Sequence, residues 1–130
     1  MKILLSIVLF ATMLFADYKN IDPQTLQELK NKGVKVIDVR THDEWIESGV
    51  IPNSILITSH SWQGFNYDAF KKELKAKGIN DNFVLVCRSG NRSREVAERL
   101  NADGYKNFYN LQGGIKVWIY EKKPTVKPAI

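Results

Sequence analysis

An α/β architecture, a parallel sheet with helices on both faces, is what the pattern of this chain predicts. Short apolar runs of strand length alternate along it with stretches whose apolar residues recur at helical spacing. Such alternation builds a sheet covered by helices on either side. The length, 130 residues, suits one domain with a single core. Ligands of such folds bind beyond the carboxyl ends of the strands, and the chain's only cysteine, Cys87, falls at the end of one.

The elements follow in order. Ile3 to Phe15 is apolar apart from Ser6 and Thr12, comes after Lys2, and gives way at Ala16 to the polar Asp17-Tyr18-Lys19-Asn20. This is the plan of a secretory signal covering residues 1–16, with the domain at 17–121 and a tail at 122–130. As a helix the apolar stretch spans roughly 20 Å, short of the roughly 30 Å hydrocarbon layer, so export to the periplasm or beyond is expected over a stable membrane anchor. Asp22-Pro23 opens a helix that carries Leu26 and Leu29 and stops at Gly33. Val34 to Val39 reads as a strand. Thr41-His42-Asp43-Glu44 has the spacing of a capping box, so a short helix with Trp45 and Ile46 follows, ending at Gly49.

A brief strand at Ile55-Leu56-Ile57 comes next, and Ser59 to Asn66, without a period, reads as a loop. Ala69, Phe70 and Leu74 mark a helix, Phe83 to Val86 a buried strand, and Val96, Ala97 and Leu100 the apolar stripe of another helix. Asn107 to Asn110 is a last strand. Gly113-Gly114 starts a helix carrying Val117 and Trp118, and Lys122 to Ile130, with two prolines, reads as a loose tail. Trp45, Trp118, Phe70 and Phe108 are core candidates, and Trp62 and Phe65 are expected to pack against the body.

Between strand and helix lies Cys87-Arg88-Ser89-Gly90-Asn91-Arg92-Ser93. Backbone N–H groups of such a loop and the positive end of the following helix converge on one spot, where a thiol ionises easily and acts as a nucleophile. Asp38 and Arg40, two apart on a strand, face the same side and are expected to tie the sheet end to Glu44 by charge-assisted hydrogen bonds. His42 and His60 have no ligand spacing to Cys87, so no metal site is expected. The net charge of +5 is spread along solvated faces such as Lys71-Lys72-Glu73, which argues against nucleic-acid binding and suits steering of small anions.

Several of these segments together resemble the rhodanese family of sulfurtransferases. They are Asp38-Val39-Arg40, the stretch from Glu44 to Ser54, Val86 to Ser93, and Leu111-Gln112-Gly113-Gly114-Ile115 with Trp118. The family's usual Gly-His-Ile-Pro-Gly-Ala reads here Gly49-Val50-Ile51-Pro52-Asn53-Ser54, from which altered packing is expected with the chemistry kept. The resemblance implies a thiosulfate sulfurtransferase without a cofactor. Cys87 would take sulfane sulfur from a thiosulfate-like donor as a persulfide and pass it to a thiol, cyanide or protein acceptor. The loop Arg88, Ser89, Gly90, Asn91, Arg92, Ser93 would bind substrate, with Arg88 and Arg92 on the sulfonate. For each arginine the alternative is a surface ion pair with Glu95 or Glu98.

Two other functions stay open. One is a sulfur-relay or partner-binding module that does not turn over. The other is a cysteine phosphatase or arsenate reductase, although those place five residues between cysteine and arginine where Cys87 and Arg92 enclose four.

Overall fold

The structure is a computed structural model that describes residues 17–130, so the expected signal at 1–16 lies outside the described residues. Five parallel strands form the sheet: β1 (Tyr18–Ile21), β2 (Lys35–Asp38), β3 (Ile55–Leu56), β6 (Phe83–Val86) and β7 (Phe108–Leu111), in the order β1-β7-β6-β2-β3. Five helices connect or follow them: α1 (Pro23–Asn31), α2 (His42–Ser48), α3 (Tyr67–Ala76), α4 (Asn91–Ala102) and α5 (Gly114–Tyr120). The expected α/β architecture is therefore present.

Strand β6 lies at the centre, and all four of its residues are buried. Because side chains alternate across a strand, Phe83, Leu85 and the following Cys87 face one way. They join Phe70 and Leu74 of α3 and Val96, Ala97 and Leu100 of α4. Val84 and Val86 face the other way, against Leu26 of α1 and Ile115 and Trp118 of α5. Two apolar layers thus clamp β6 and fix where its carboxyl end emerges. The caps behave as the residue types dictate: Asp22 accepts from the Thr25 N–H, and Thr41 and Glu44 form a reciprocal capping box at α2.

Three expectations need correction, and one strand is present where none was assigned. The polar Tyr18-Lys19-Asn20-Ile21 is a strand, held as the sheet edge by parallel pairing to β7 and by Tyr18 stacked on Phe108 at 5.3 Å between centroids. Ser59 to Asn66 is no plain loop, because β4 (His60–Ser61) and β5 (Gly64–Phe65) pair as a small antiparallel hairpin. Phe65 packs there, stacked on His60 and edge-on to Phe70, but Trp62 at the tip is 93% exposed instead of packed.

The tail is docked, not loose. Val126 pairs with Val50 through two backbone hydrogen bonds of 2.8 Å, and the Pro124 carbonyl accepts from the buried Trp118 Nε1–H at 2.9 Å. This is also where the packing of Gly49 to Ser54 is set. Val50 is buried under the tail, and Asn53 takes the left-handed conformation (φ 66°) that asparagine tolerates better than most residues.

Candidate active site

Where β6 ends, two N–H groups from the start of α5 capture the chain. Ile115 donates to the Cys87 carbonyl at 2.8 Å and Lys116 to the Arg88 carbonyl at 3.1 Å. In a planar trans peptide the N–H points opposite the C=O, so the N–H groups of Arg88 and Ser89 are turned away from α5. So close an approach requires Gly114: a β-carbon there would overlap the Arg88 carbonyl and lie 2.6 Å from that of Cys87. Gly90 then reverses the chain at φ 100° and delivers it into α4.

The loop closes on sulfur. The Gly90 N–H donates to Cys87 Sγ at 3.0 Å and the Ser93 hydroxyl donates to it at 3.2 Å, with the Gly90 carbonyl as a second acceptor at 3.3 Å. The first N–H groups of α4 have no partner within the helix, and its positive dipole end lies over the same loop. A negative charge on Sγ, or on an atom bonded to it, meets donors already in place. Cys87 itself is only 1% exposed, so an attacking or departing group must be small or narrow.

The charged residues are arranged differently from expectation. Arg92 is not free for the sulfonate as expected, nor does it take the alternative pairing with Glu95 or Glu98. Its Nη1 and Nη2 donate to the two carboxylate oxygens of Glu44 at 2.6 and 2.7 Å, a fork-to-fork pair joining α4 to α2. That contact holds the Glu44 carboxyl down at about 2, against the opposing effect of burial, with the Thr41 N–H and hydroxyl assisting. Arg92 is raised in turn, chiefly by its hydrogen bonds to Glu44. Glu95 goes instead to His60 Nε2 at 2.7 Å, tying the β4–β5 hairpin to α4.

Asp38 and Arg40 are buried and paired with each other, with Arg40 Nε and Nη2 on the Asp38 carboxylate at 2.8 to 3.1 Å. Their tie to Glu44 is a correction in detail. Arg40 reaches the Glu44 backbone carbonyl, the Ser48 hydroxyl and the Gly49 carbonyl, and leaves the Glu44 carboxylate free for Arg92. Asp38 and Arg40 therefore brace the end of α2 while Glu44 braces the cysteine loop.

Of the loop residues, Arg88, Ser89 and Asn91 are exposed, Gly90 and Arg92 half-buried, and Ser93 fully buried. Sequence reasoning missed the clamp formed by α5. Its signal is the adjacent pair Gly113-Gly114 at a helix start with no side-chain cap, a place where two backbones meet.

A buried thiol at the carboxyl end of a central parallel strand, enclosed by a tight amide loop and a helix N-terminus, defines an α/β domain with its one cysteine set in an amide-lined loop. Residues 22–121 match the family model described as "Rhodanese-like domain", and the chain belongs to the rhodanese family. It is 29% identical over 102 residues to the thiosulfate sulfurtransferase GlpE of Pseudomonas syringae pv. syringae, a match covering 78% of this chain and 88% of that one. To the protein of the same name from Pseudomonas aeruginosa PAO1 it is 28% identical over 101 residues, covering 78% and 84%. Among solved structures it resembles a rhodanese-related protein from Thermoplasma volcanium, with TM-score 0.64, 33% identity, and 85% and 100% of the two chains covered.

Proposed function

We propose that this protein is a thiosulfate sulfurtransferase working through a persulfide on Cys87. The thiolate attacks the sulfane sulfur of thiosulfate, the S–S bond breaks, and sulfite departs with the bonding electron pair. An acceptor then attacks the outer sulfur of the persulfide and returns Cys87 to the thiolate. The observation that carries this reading is the pair of donors on Cys87 Sγ, the Gly90 N–H at 3.0 Å and the Ser93 hydroxyl at 3.2 Å.

The engagement of Arg92 by Glu44 favours sulfur over phosphorus chemistry. A phosphatase loop needs its arginine for the oxyanion, whereas here both terminal nitrogens already hold a carboxylate. Arg88, exposed and without an ion-pair partner among the described residues, is then the side chain that receives the sulfonate. The GlpE relatives, named thiosulfate sulfurtransferases, support the same donor. Export of the mature domain after residue 16 belongs to this proposal and is tested by the N-terminal sequence of protein recovered from a periplasmic fraction.

Incubation with thiosulfate followed by intact-mass measurement tests the chemistry. A species heavier by one sulfur atom is expected, absent in Cys87→Ser and discharged by cyanide. An unmodified protein that hydrolyses an aryl phosphate would overturn it.

A further inference from the structure

The β4–β5 hairpin carries two features that the cysteine chemistry does not use. At its tip Trp62 is 93% exposed, the largest apolar side chain left on the surface among the described residues. Beside it a pocket of about 490 Å³ opens between the hairpin, the start of α3 and α4, with Gln63, Phe65, Tyr67, Asp68 and Arg99 in its lining. Gln63 follows Trp62 directly in the chain, so an aromatic knob and a hollow lie next to each other on one surface.

The hairpin is a firm support. His60 Nε2 meets the Glu95 carboxylate of α4 at 2.7 Å, the His60 ring stacks on Phe65 at 4.6 Å, and Phe65 meets Tyr67 and Phe70 edge-on at 6.0 and 6.5 Å. Trp62 is thus held out on a fixed frame, which lowers the ordering cost of burying it against another molecule.

The hollow has charges of its own to satisfy. Asp68 and Arg99 form no ion pair among the described residues. The Arg99 guanidinium lies 4.5 Å over the Tyr67 ring, which is itself fixed by its hydroxyl donating to Asp103 at 2.7 Å. With one face on an aromatic ring, the guanidinium has the other to offer. An indole answers both charges, its face suiting the cation and its N–H the carboxylate, while its apolar body meets Phe65. The volume falls within the ~300–1,000 Å³ of pockets that take drug-sized groups, so an indole has room.

We infer that the protein forms a two-fold dimer through this surface, Trp62 of each copy entering the pocket of the other beside Arg99 and Asp68. The occupant must bring an exposed indole on a rigid support, and the chain itself carries one that does not fill its own pocket. A two-fold axis requires a self-complementary patch, and a knob flanking its own hollow is such a patch. Tryptophans bury roughly 150–250 Å² each, so the contact is small and the dimer is a weak one of micromolar dissociation constant. This inference is independent of the sulfurtransferase reading.

Sedimentation equilibrium of the purified protein over about 1–300 μM tests it, the span in which so small an interface populates both states. Association is expected, and Trp62→Ala should raise the dissociation constant by about thirtyfold or more, the scale of a hot-spot residue. Arg99→Ala should raise it by about fivefold or more. Both residues are exposed, and the fold tolerates their replacement. An equimolar mixture of the two variants restores one intact contact, Trp62 of one variant in the unaltered pocket of the other. The mixture should therefore associate more tightly than either variant alone. Emission gives a second reading: Trp45 and Trp118 are already buried, so a blue shift that grows with concentration reports Trp62.

A protein that stays monomeric at the highest concentration, or whose association survives Trp62→Ala, would overturn the dimer. Variants that associate no better mixed than apart would overturn the reciprocal insertion on which it rests.

Discussion

Arg92 and Glu44 meet as two parallel forks, Nη1 to Oε1 at 2.6 Å and Nη2 to Oε2 at 2.7 Å, across 48 residues of sequence. The pair bolts the first turn of α4, and with it the cysteine loop, to the start of α2. The same Glu44 oxygen also accepts from the Thr41 N–H and hydroxyl, so one carboxylate caps a helix and anchors the loop together. With side chains 27% and 24% exposed, the pair is shielded enough for its geometry to matter and open enough for its desolvation to stay modest.

Glu44→Gln should therefore lower stability at neutral pH by about 1–3 kcal/mol. The carboxyl sits at about 2 in the folded protein, below its unfolded value of about 4.3. Its contribution is complete above about pH 5 and fades as pH falls through about 2. Denaturant titrations at pH 7 and pH 3 check the sign: the gap between wild type and variant should narrow at the lower pH. A constant gap would mean that the charge on Glu44 plays no part.

Ser93→Ala removes one of the two donors on Cys87 Sγ and nothing from the surface, since Ser93 is fully buried. One hydrogen bond of this kind contributes about 1–3 kcal/mol when it is made to a charged sulfur. The rate of persulfide formation from thiosulfate, followed by rapid mixing, should fall by roughly tenfold, with folding preserved by circular dichroism. An unchanged rate would leave the Gly90 N–H as the donor that matters.

Gly114→Ala tests the clamp on the loop. The added β-carbon meets the Arg88 and Cys87 carbonyls while the backbone keeps a positive φ of 67°, so both space and conformation oppose it. Strain of this type costs about 1–3 kcal/mol. Turnover with thiosulfate and cyanide, measured well below the unfolding midpoint, should drop by more than the loss of folded protein explains, because the displaced carbonyls are those that aim the loop's N–H groups.

Much of this fold was legible because its strong signals are local. Phe83 to Val86 carries enough apolar weight to declare a buried strand, Asp22-Pro23 and Thr41 to Glu44 declare helix starts, and Cys87 with Gly90 between them declares a loop. What escaped depends on partners distant in sequence. Tyr18-Lys19-Asn20-Ile21 is a strand only because β7 lies beside it, and no local pattern marks it. His60 and Phe65 pair across a hairpin whose tip residue Trp62 is almost fully exposed, so an aromatic residue taken for packing proved to be surface. Arg92 was expected on the sulfonate, with Glu95 or Glu98, near in sequence, as the alternative partners; its actual partner Glu44 is near only after β2 and β6 align.

The tail offers the last test. Lys122 to Ile130 has the composition of an unstructured end, two prolines and little apolar content, yet the Pro124 carbonyl is the acceptor for the Trp118 indole N–H, and Trp118 is fully buried. Removing residues 124–130 would strand that donor and strip Val126 from its backbone pairing with Val50. A buried N–H without a partner costs about 1–3 kcal/mol, so the truncated protein should unfold at a clearly lower denaturant concentration with its tryptophan emission shifted. The Cys87 loop, held by α5 and by the Arg92–Glu44 pair, makes none of these contacts, so persulfide loading of the folded fraction should persist. Loss of loading without loss of stability would show that the tail acts on the site itself, through Gly49, whose α-carbon Thr125 and Val126 cover and whose carbonyl Arg40 grips at 2.8 Å.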